Sequence, residues 1–293
     1  MKNVFNEVLM ANENSVSKNV LALAQQIAAE FDNLPQVVAV VLAGSQTNQV
    51  ADLASDLDLY VYAPEEIAVE SRAAIAQKFA QQVELNNQFW ETGDEWVDTN
   101  SGRGVDIMYR TPEWIEEQIN RVLVHHQATV GYSTCFWFNV RHSLPLCDRL
   151  GWFGQLQQQT NQPYPEPLVE AIIAKNYPIL RHNLSSYIHQ IELAIKRDDL
   201  ISVNHRTSAL LASYFDIIFA INKMPHPGEK RLLQLTQKFC SKVPESMESR
   251  VNNLVRAVDP HNSLNILDCV NQLMDGLDQL LIAENFGCNS KLK

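Results

Sequence analysis

The chain has 293 residues, of which 46% are hydrophobic, and 23 Lys and Arg against 34 Asp and Glu give it a formal net charge of -11. A hydrophobic fraction of this size is typical of globular proteins and excludes a largely disordered chain. The acidic balance argues against a nonspecific nucleic-acid binder, which needs surplus cations to displace counterions from phosphates.

The class of protein is narrowed further by its length, apolar runs and cysteines. At roughly 150 residues per domain, the length predicts about two domains. No apolar run approaches the roughly 18 residues of a membrane helix, and residues 1–15 lack the apolar centre of a signal peptide. The five cysteines are scattered with no CxxC pair, which disfavours a disulfide framework or a zinc site. We therefore expect a cytoplasmic protein with neither a membrane nor a nucleic-acid partner.

The first half of the chain alternates between helical and strand periodicity. In chain order, the predicted elements are a helix over 15–32, strands over 37–43 and 56–62, a helix over 64–82, a β-prone segment over 83–98, a strand over 103–110 and a helix over 111–127. These elements predict a first domain over 1–160, built as a mixed sheet with flanking helices.

The second half is predicted to be helical. Residues 162–167 (QPYPEP) contain three prolines and indicate a linker. The predicted helices beyond it cover 168–196 with a kink or break at Pro178, 199–222, 228–241, 246–258 and 263–285. The last carries a clear apolar stripe, which indicates bundle core. The predicted fold class is therefore α+β, with a C-terminal helical bundle over 161–293.

Candidate chemistry is concentrated in residues 42–60. A buried strand ends at Gly44-Ser45, and Asp56 and Asp58 follow on an alternating strand. Side chains two residues apart on a strand share a face, so the two carboxylates repel each other unless a cation lies between them. Magnesium suits such a pair, because it is usually bound by one or two carboxylates and by substrate phosphates.

Further residues fit the same chemistry. Asp106 lies on another short alternating strand, and if the two strands are neighbours, three carboxylates converge as two-metal phosphoryl or nucleotidyl transfer requires. Gly44 permits close approach to a phosphate, and Ser45 offers an N–H and a hydroxyl. After the chain break at Pro227-Gly228, Lys230 is expected in the first turn of a helix, where it would clamp a phosphate.

The motif hG[GS], a gap and then Dh[DE]h resembles the nucleotidyltransferase superfamily of DNA polymerase β. The two-domain organisation is similar to that of the bacterial nucleotidyltransferases that modify aminoglycosides or lincosamides. Segments 131–137 (GYSTCFW) and 226–233 (HPGEKRLL) resemble the helical extension of a poorly characterised bacterial family in that superfamily. The resemblance therefore covers most of the chain.

The resemblance implies an enzyme that uses two magnesium ions and a nucleoside triphosphate. Gly44, Ser45 and Lys230 would hold the triphosphate, and Asp56 and Asp58 would ligate the metal. Asp106 would be a third ligand or the base that deprotonates the acceptor. The reaction would transfer a nucleoside monophosphate, AMP from ATP foremost, to a hydroxyl of a small molecule such as a cationic antibiotic, releasing pyrophosphate.

Other features of the resemblance leave alternatives open. The helical domain would close the cleft and shape the acceptor site, and the protein would be a monomer or a homodimer. Relatives often carry Arg-Gly where this chain has Asn48-Gln49, which favours a nucleotide-binding sensor without turnover. The three carboxylates argue against a mere binder. Transfer of AMP to a protein hydroxyl is the other enzymatic alternative.

Overall fold

The protein divides into two compact units. The computed structural model describes residues 18–44, 56–89, 91–259, 261–262 and 264–286. The first unit comprises Met1–Asn120 and Phe136–Gln162, and the second comprises Arg121–Cys135 and Pro163–Lys293. The last change of unit follows Gln162, close to the predicted linker, but residues 121–135 belong to the second unit, which the sequence pattern does not predict.

The first unit is a mixed sheet with helices. Its strands are β1 (Ala39–Leu42), β2 (Leu57–Tyr62), β3 (Val83–Asn87), β4 (Gly93–Val97), β5 (Gly104–Arg110) and β6 (Leu144–Asp148). Its helices are α1 (Lys18–Asp32), α2 (Val69–Ala76), most of α3 (Pro112–Leu123), all but the first residue of α4 (Cys135–His142), and α5 (Trp152–Thr160), which follows a short 3₁₀ turn (Arg149–Gly151).

The six strands are ordered β3-β4-β5-β2-β1-β6. All neighbours are antiparallel except β2 and β5, which are parallel. One face of the sheet is apolar because alternate residues of β2 and β5 are aliphatic. These residues are fully or almost fully buried against side chains of α1 and α2: Leu57, Leu59, Val61, Val105 and Ile107. The opposite face therefore carries the polar residues of the same strands.

The second unit is helical. Its helices are α6 (Glu166–Arg181), α7 (Tyr187–Lys196), α8 (Leu200–Ile221), α9 (Leu232–Phe239), α10 (Met247–Ala257) and α11 (Ile266–Ala283). The predicted helix over 168–196 is two helices, and Pro178 lies inside the first rather than at the break. Within the described residues, no helix is both long and apolar enough to cross a bilayer.

The predicted α+β fold class is confirmed, and the differences are local. The sequence pattern does not predict three elements between 135 and 160, namely α4, β6 and α5. Strand β6 reads LPLCD, and its proline is tolerated because β6 lies at the sheet edge. The predicted helix over 64–82 is reduced to the eight residues of α2.

Candidate functional site

Two aspartates lie side by side on the polar face of the sheet. The parallel register of β2 and β5 pairs Asp58 directly with Asp106. Both residues are half-buried, whereas their neighbours Leu57 and Leu59 are fully buried on the other face. The strands carrying the two predicted carboxylates are therefore neighbours, as the sequence argument required.

Two glycines make room for the carboxylates. Gly44 has φ +69, and a Cβ at that position would lie 1.8 Å from Oδ2 of Asp58. A Cβ at Gly104 would lie 2.3 Å from Oδ1 of Asp56, which precedes β2 and is exposed. Only glycine allows the turn after β1 to come this close to Asp58. Gly44 of the Gly-Ser motif therefore lies against the DxD motif, whereas Ser45 lies outside the described residues.

The acidic pair is part of a longer row. Antiparallel register pairs Glu84 of β3 with Glu95 of β4, and Glu95 with Asp106 of β5. With Asp58, four carboxylates lie in cross-strand register on four adjacent strands. Like charges directly opposite each other destabilise a sheet. The arrangement therefore favours a cation or a cationic group bound over this face.

A cavity of about 580 Å³ lies along the acidic row. Its lining includes Asp56, Glu84, Glu95 and Asp106, together with Trp96. Ligand pockets generally have volumes of roughly 300 to 1,000 Å³. The cavity is thus large enough for a small organic group beside the carboxylates.

The other end of the same sheet face is closed by aromatic side chains. The ring of Tyr62 packs on Trp152 and Phe153 with centroid distances of 5.2 and 5.6 Å. The guanidinium carbon of Arg110 lies 3.9 Å from the ring centroid of Tyr60. Burial raises the pKa of Tyr60 to about 12, and the Asp58 carboxylate acts in the same direction. Tyr60 therefore stays a neutral phenol beside Asp58.

The carboxylates of the polar face are oxygen donors of the kind that magnesium prefers. Among the described residues, no group of three or more His, Cys, Asp or Glu side chains is arranged to hold a metal ion. Asp58 and Asp106 in register, with Gly44 against Asp58, supply the one or two carboxylates that magnesium takes when phosphates complete its shell. These residues fit magnesium that arrives with a nucleotide, and a three-carboxylate site remains a prediction.

Lys230 does not lie in the first turn of a helix. Helix α9 begins at Leu232, and its capping residue Arg231 has the left-handed conformation φ 57, ψ 33. The expectation that Lys230 occupies the helix N-terminus is therefore wrong. Lys230 is exposed in the turn before α9, whereas His226 at the start of that segment is fully buried.

Sequence reasoning only partly identifies the polar residues around the site. The charged segment before β5 is expected to be a solvated loop, with Glu91, Asp94 and Glu95 as the weaker candidates for lining a cleft. Glu91 instead pairs with Arg110 at 2.6 Å, and Asp94 is buried against Arg72. Glu95 does line the cavity. The sequence reasoning misses Glu84, although the alternation in VELNN separates Glu84 from Val83 and Leu85 and so predicts that it lies on a polar face.

The comparisons with known proteins return structural neighbours only. No protein-family model matches the chain, and no curated protein matches it. A nucleotidyltransferase-like protein from Exiguobacterium sibiricum has 11% identity and a TM-score of 0.42, and the alignment covers 89% of this chain and 74% of that chain. A Thermotoga maritima CCA-adding enzyme complexed with tRNA has 11% identity and a TM-score of 0.36, covering 98% and 70%.

A third neighbour is a STING-associated CdnE c-di-GMP synthase from Capnocytophaga granulosa. It has 11% identity and a TM-score of 0.28, and the alignment covers 96% of this chain and 82% of that chain.

Proposed function

We propose that the protein is a magnesium-dependent nucleotidyltransferase that modifies a hydroxyl of a small, amine-bearing molecule. The observation that carries this proposal is the register of Asp58 with Asp106, together with the approach of Gly44 to the Asp58 carboxylate. This arrangement joins the two halves of the motif whose resemblance suggested the activity. The nucleoside triphosphate is ATP in the simplest form of the proposal.

The reaction is an in-line displacement at the α-phosphorus. The acceptor hydroxyl oxygen forms a bond to that phosphorus, and the bond to the leaving pyrophosphate breaks. The hydroxyl proton passes to the Asp106 carboxylate, if Asp106 acts as the base rather than as a ligand. Magnesium on Asp56 and Asp58 would neutralise charge on the phosphates and lower the pKa of the hydroxyl. Gly44 and Ser45 are our proposed triphosphate contacts.

The class of acceptor follows from the acidic row. Glu84 and Glu95 extend the carboxylates of Asp58 and Asp106 along the sheet, and both are exposed. An ammonium group bound over them would relieve the repulsion between neighbouring carboxylates and would orient the acceptor hydroxyl toward Asp106. Neutral analogues of the same acceptor should therefore be poorer substrates.

The test incubates the protein with magnesium and each labelled nucleoside triphosphate, alone and with matched amine-bearing and neutral hydroxyl compounds. We expect pyrophosphate release that falls at least 100-fold in Asp58→Asn and in Asp106→Asn, in line with the loss of a positioned acid–base group or ligand. Glu70→Gln, an exposed carboxylate on α2, is the matched control and should keep full activity.

Other outcomes separate the alternatives. Label on the protein itself or on an added protein would favour AMPylation. Tight nucleotide binding without turnover across the panel would favour the sensor suggested by Asn48-Gln49. Normal turnover by Asp58→Asn would refute the proposed site.

A further inference from the structure

A short segment of the second unit, Thr129–Thr134, is held by two buried polar side chains. Asn176 of α6 is fully buried, and its Oδ1 accepts a hydrogen bond from the Gly131 N–H at 2.9 Å. Its Nδ2 donates to the Thr129 carbonyl at 3.0 Å. A buried amide that hydrogen-bonds both an N–H and a carbonyl group of one loop fixes the backbone of that loop.

The second side chain is Asp216 of α8, which is 1% exposed. Its Oδ1 accepts from the Ser133 N–H at 3.1 Å, and its Oδ2 accepts from the Ser133 hydroxyl at 2.6 Å. Asn176 donates to the same Oδ2 at 3.3 Å. These three donors satisfy the carboxylate oxygens, but none of them carries a charge that would compensate the ionised form.

The backbone of the segment needs such restraint. Gly131 and Tyr132 both have positive φ, of 71° and 55°. A Cβ at Gly131 would lie 3.1 Å from the Ala212 Cβ of α8, so the turn packs closely on that helix. Non-glycine residues in this region persist only where their surroundings hold them. The hydrogen bonds to Ser133 and Gly131 supply that hold.

The titratable groups around Asp216 are neutral or acidic. Tyr132 and Tyr164 both sense its charge, and burial raises the pKa of each phenol. Glu229 and Cys135 also face Tyr132. The ring of His226 packs edge-on against Tyr132, and burial lowers its pKa to about 3, so it carries no charge. No lysine or arginine contributes to the pKa shift of Asp216 in the described part of the chain.

We propose that Asp216 and Asn176 form a proton-controlled clasp that holds Thr129–Thr134 firmly while Asp216 is protonated and loosens it when Asp216 ionises. The geometry suits the protonated form. The Asp216 O–H then donates to Ser133 Oγ across the same 2.6 Å, and the Ser133 hydroxyl donates to the Thr129 carbonyl at 3.3 Å. Oδ1 still accepts from the Ser133 N–H, so protonation breaks no link of the clasp.

The direction of the pH effect follows from burial. Burial raises the pKa of Asp216 from 3.8 to about 7 in the closed state, and the opened, hydrated carboxylate returns toward 3.8. The closed state therefore binds the proton more tightly, and its advantage is full below pH 4. The advantage is lost as pH rises toward 7 and changes little above that. Between pH 5 and pH 8 the opening constant should rise about 100-fold.

The experiment is amide hydrogen exchange on the full chain at pH 5 and pH 8, corrected for the intrinsic exchange rate at each pH. We expect protection of the 129–134 amides to fall about 100-fold at pH 8, with far smaller changes in α11 as internal reference. In Asp216→Asn the clasp has no carboxyl proton to lose, so its protection should be independent of pH. Glu170→Gln, an exposed change on α6, should behave as the parent chain.

A second variant keeps the test decisive if Asp216→Asn does not fold. Ser133→Ala removes one partner and leaves the carboxylate, so protection should fall at both pH values while the pH dependence persists. Equal corrected protection at pH 5 and pH 8 in the parent chain would overturn the proposal, as would unchanged protection in Ser133→Ala. None of these measurements depends on nucleotidyl transfer, so they test the clasp independently of the proposed activity.

Discussion

Replacing Asp94 by asparagine should destabilise the first unit strongly. Asp94 and Arg72 form an ion pair at 3.3 Å with each side chain 1% exposed. The same carboxylate accepts from the backbone N–H of Asn86 at 2.7 Å and from the Tyr109 hydroxyl at 2.6 Å. Asp94 thus anchors β4 from the apolar side of the sheet, while its neighbour Glu95 extends the acidic row on the other side.

The magnitude follows from what the Asp94→Asn substitution leaves behind. The introduced amide would carry no charge, so Arg72 would become a buried cation without a counterion, which costs about 3–5 kcal/mol. The introduced amide can keep its oxygen toward the Asn86 N–H only by turning its NH₂ toward Tyr109, whose hydroxyl proton would then lose its acceptor. The cation–π contact of Arg72 with Tyr109, at 4.6 Å, would remain but is too weak to compensate.

The assay is denaturant unfolding followed by tryptophan fluorescence. All five tryptophans lie in the sequence ranges of the first unit: Trp90, Trp96, Trp114, Trp137 and Trp152. We expect the free energy of unfolding of Asp94→Asn to fall by about 3–5 kcal/mol, and that of the exposed control Glu70→Gln to change by less than about 0.5 kcal/mol. Arg72→Met with Asp94→Asn should cost less than the sum of the single variants, because the double variant has no orphaned charge. A loss below about 1 kcal/mol, or simple additivity, would refute this reasoning.

The remaining predictions concern the acidic face. Gly44→Ala should lower nucleotide-dependent turnover at least 100-fold, because the added Cβ would displace the Asp58 carboxylate. The control is Gly151→Ala, where φ is nearly the same but the space around the added Cβ is open, so only stability should fall. Steady-state rates and unfolding curves of both variants check this, and equal rates for the two variants would contradict it. Glu95→Gln should raise the free energy of unfolding by about 0.5 kcal/mol at low salt, because it removes the like-charge pairs with Glu84 and Asp106. This gain should shrink in about 0.5 M salt, which screens the repulsion. A lower free energy of unfolding at low salt would contradict the proposed repulsion between these carboxylates.

In the first unit, local sequence patterns predict individual strands but not which strands are neighbours. The alternation in DLDLYVY predicts both the strand and the shared face of Asp56 and Asp58, and the structure bears out the strand over Leu57–Tyr62. Whether Asp106 joins them depends on which strands are neighbours. That choice is made by packing of the whole sheet, and nothing local in either strand specifies it.

Two other features depend on conformations that local sequence specifies weakly. Pro227 and Gly228 mark a chain break and so predict Lys230 inside the following helix, but the break extends to Arg231, which adopts the left-handed region. Asp216 lies on a predicted helix whose pattern does not specify its partners, and tertiary packing buries it among neutral donors. In both cases, contacts between distant segments decide the outcome.

The persistence of four carboxylates in one row can be understood from magnitudes. Three directly opposed like-charge pairs cost roughly 0.2–1 kcal/mol each, or at most about 3 kcal/mol together. The opposite face of the same strands buries Leu57, Leu59, Val105 and Ile107 almost completely, and each such side chain contributes about 1.5–3 kcal/mol. Burial thus outweighs repulsion, and the strands can hold the row without any ligand. Relief of the repulsion then contributes binding energy for a cation that reaches this face, which is why we place both the metal and an amine-bearing acceptor there.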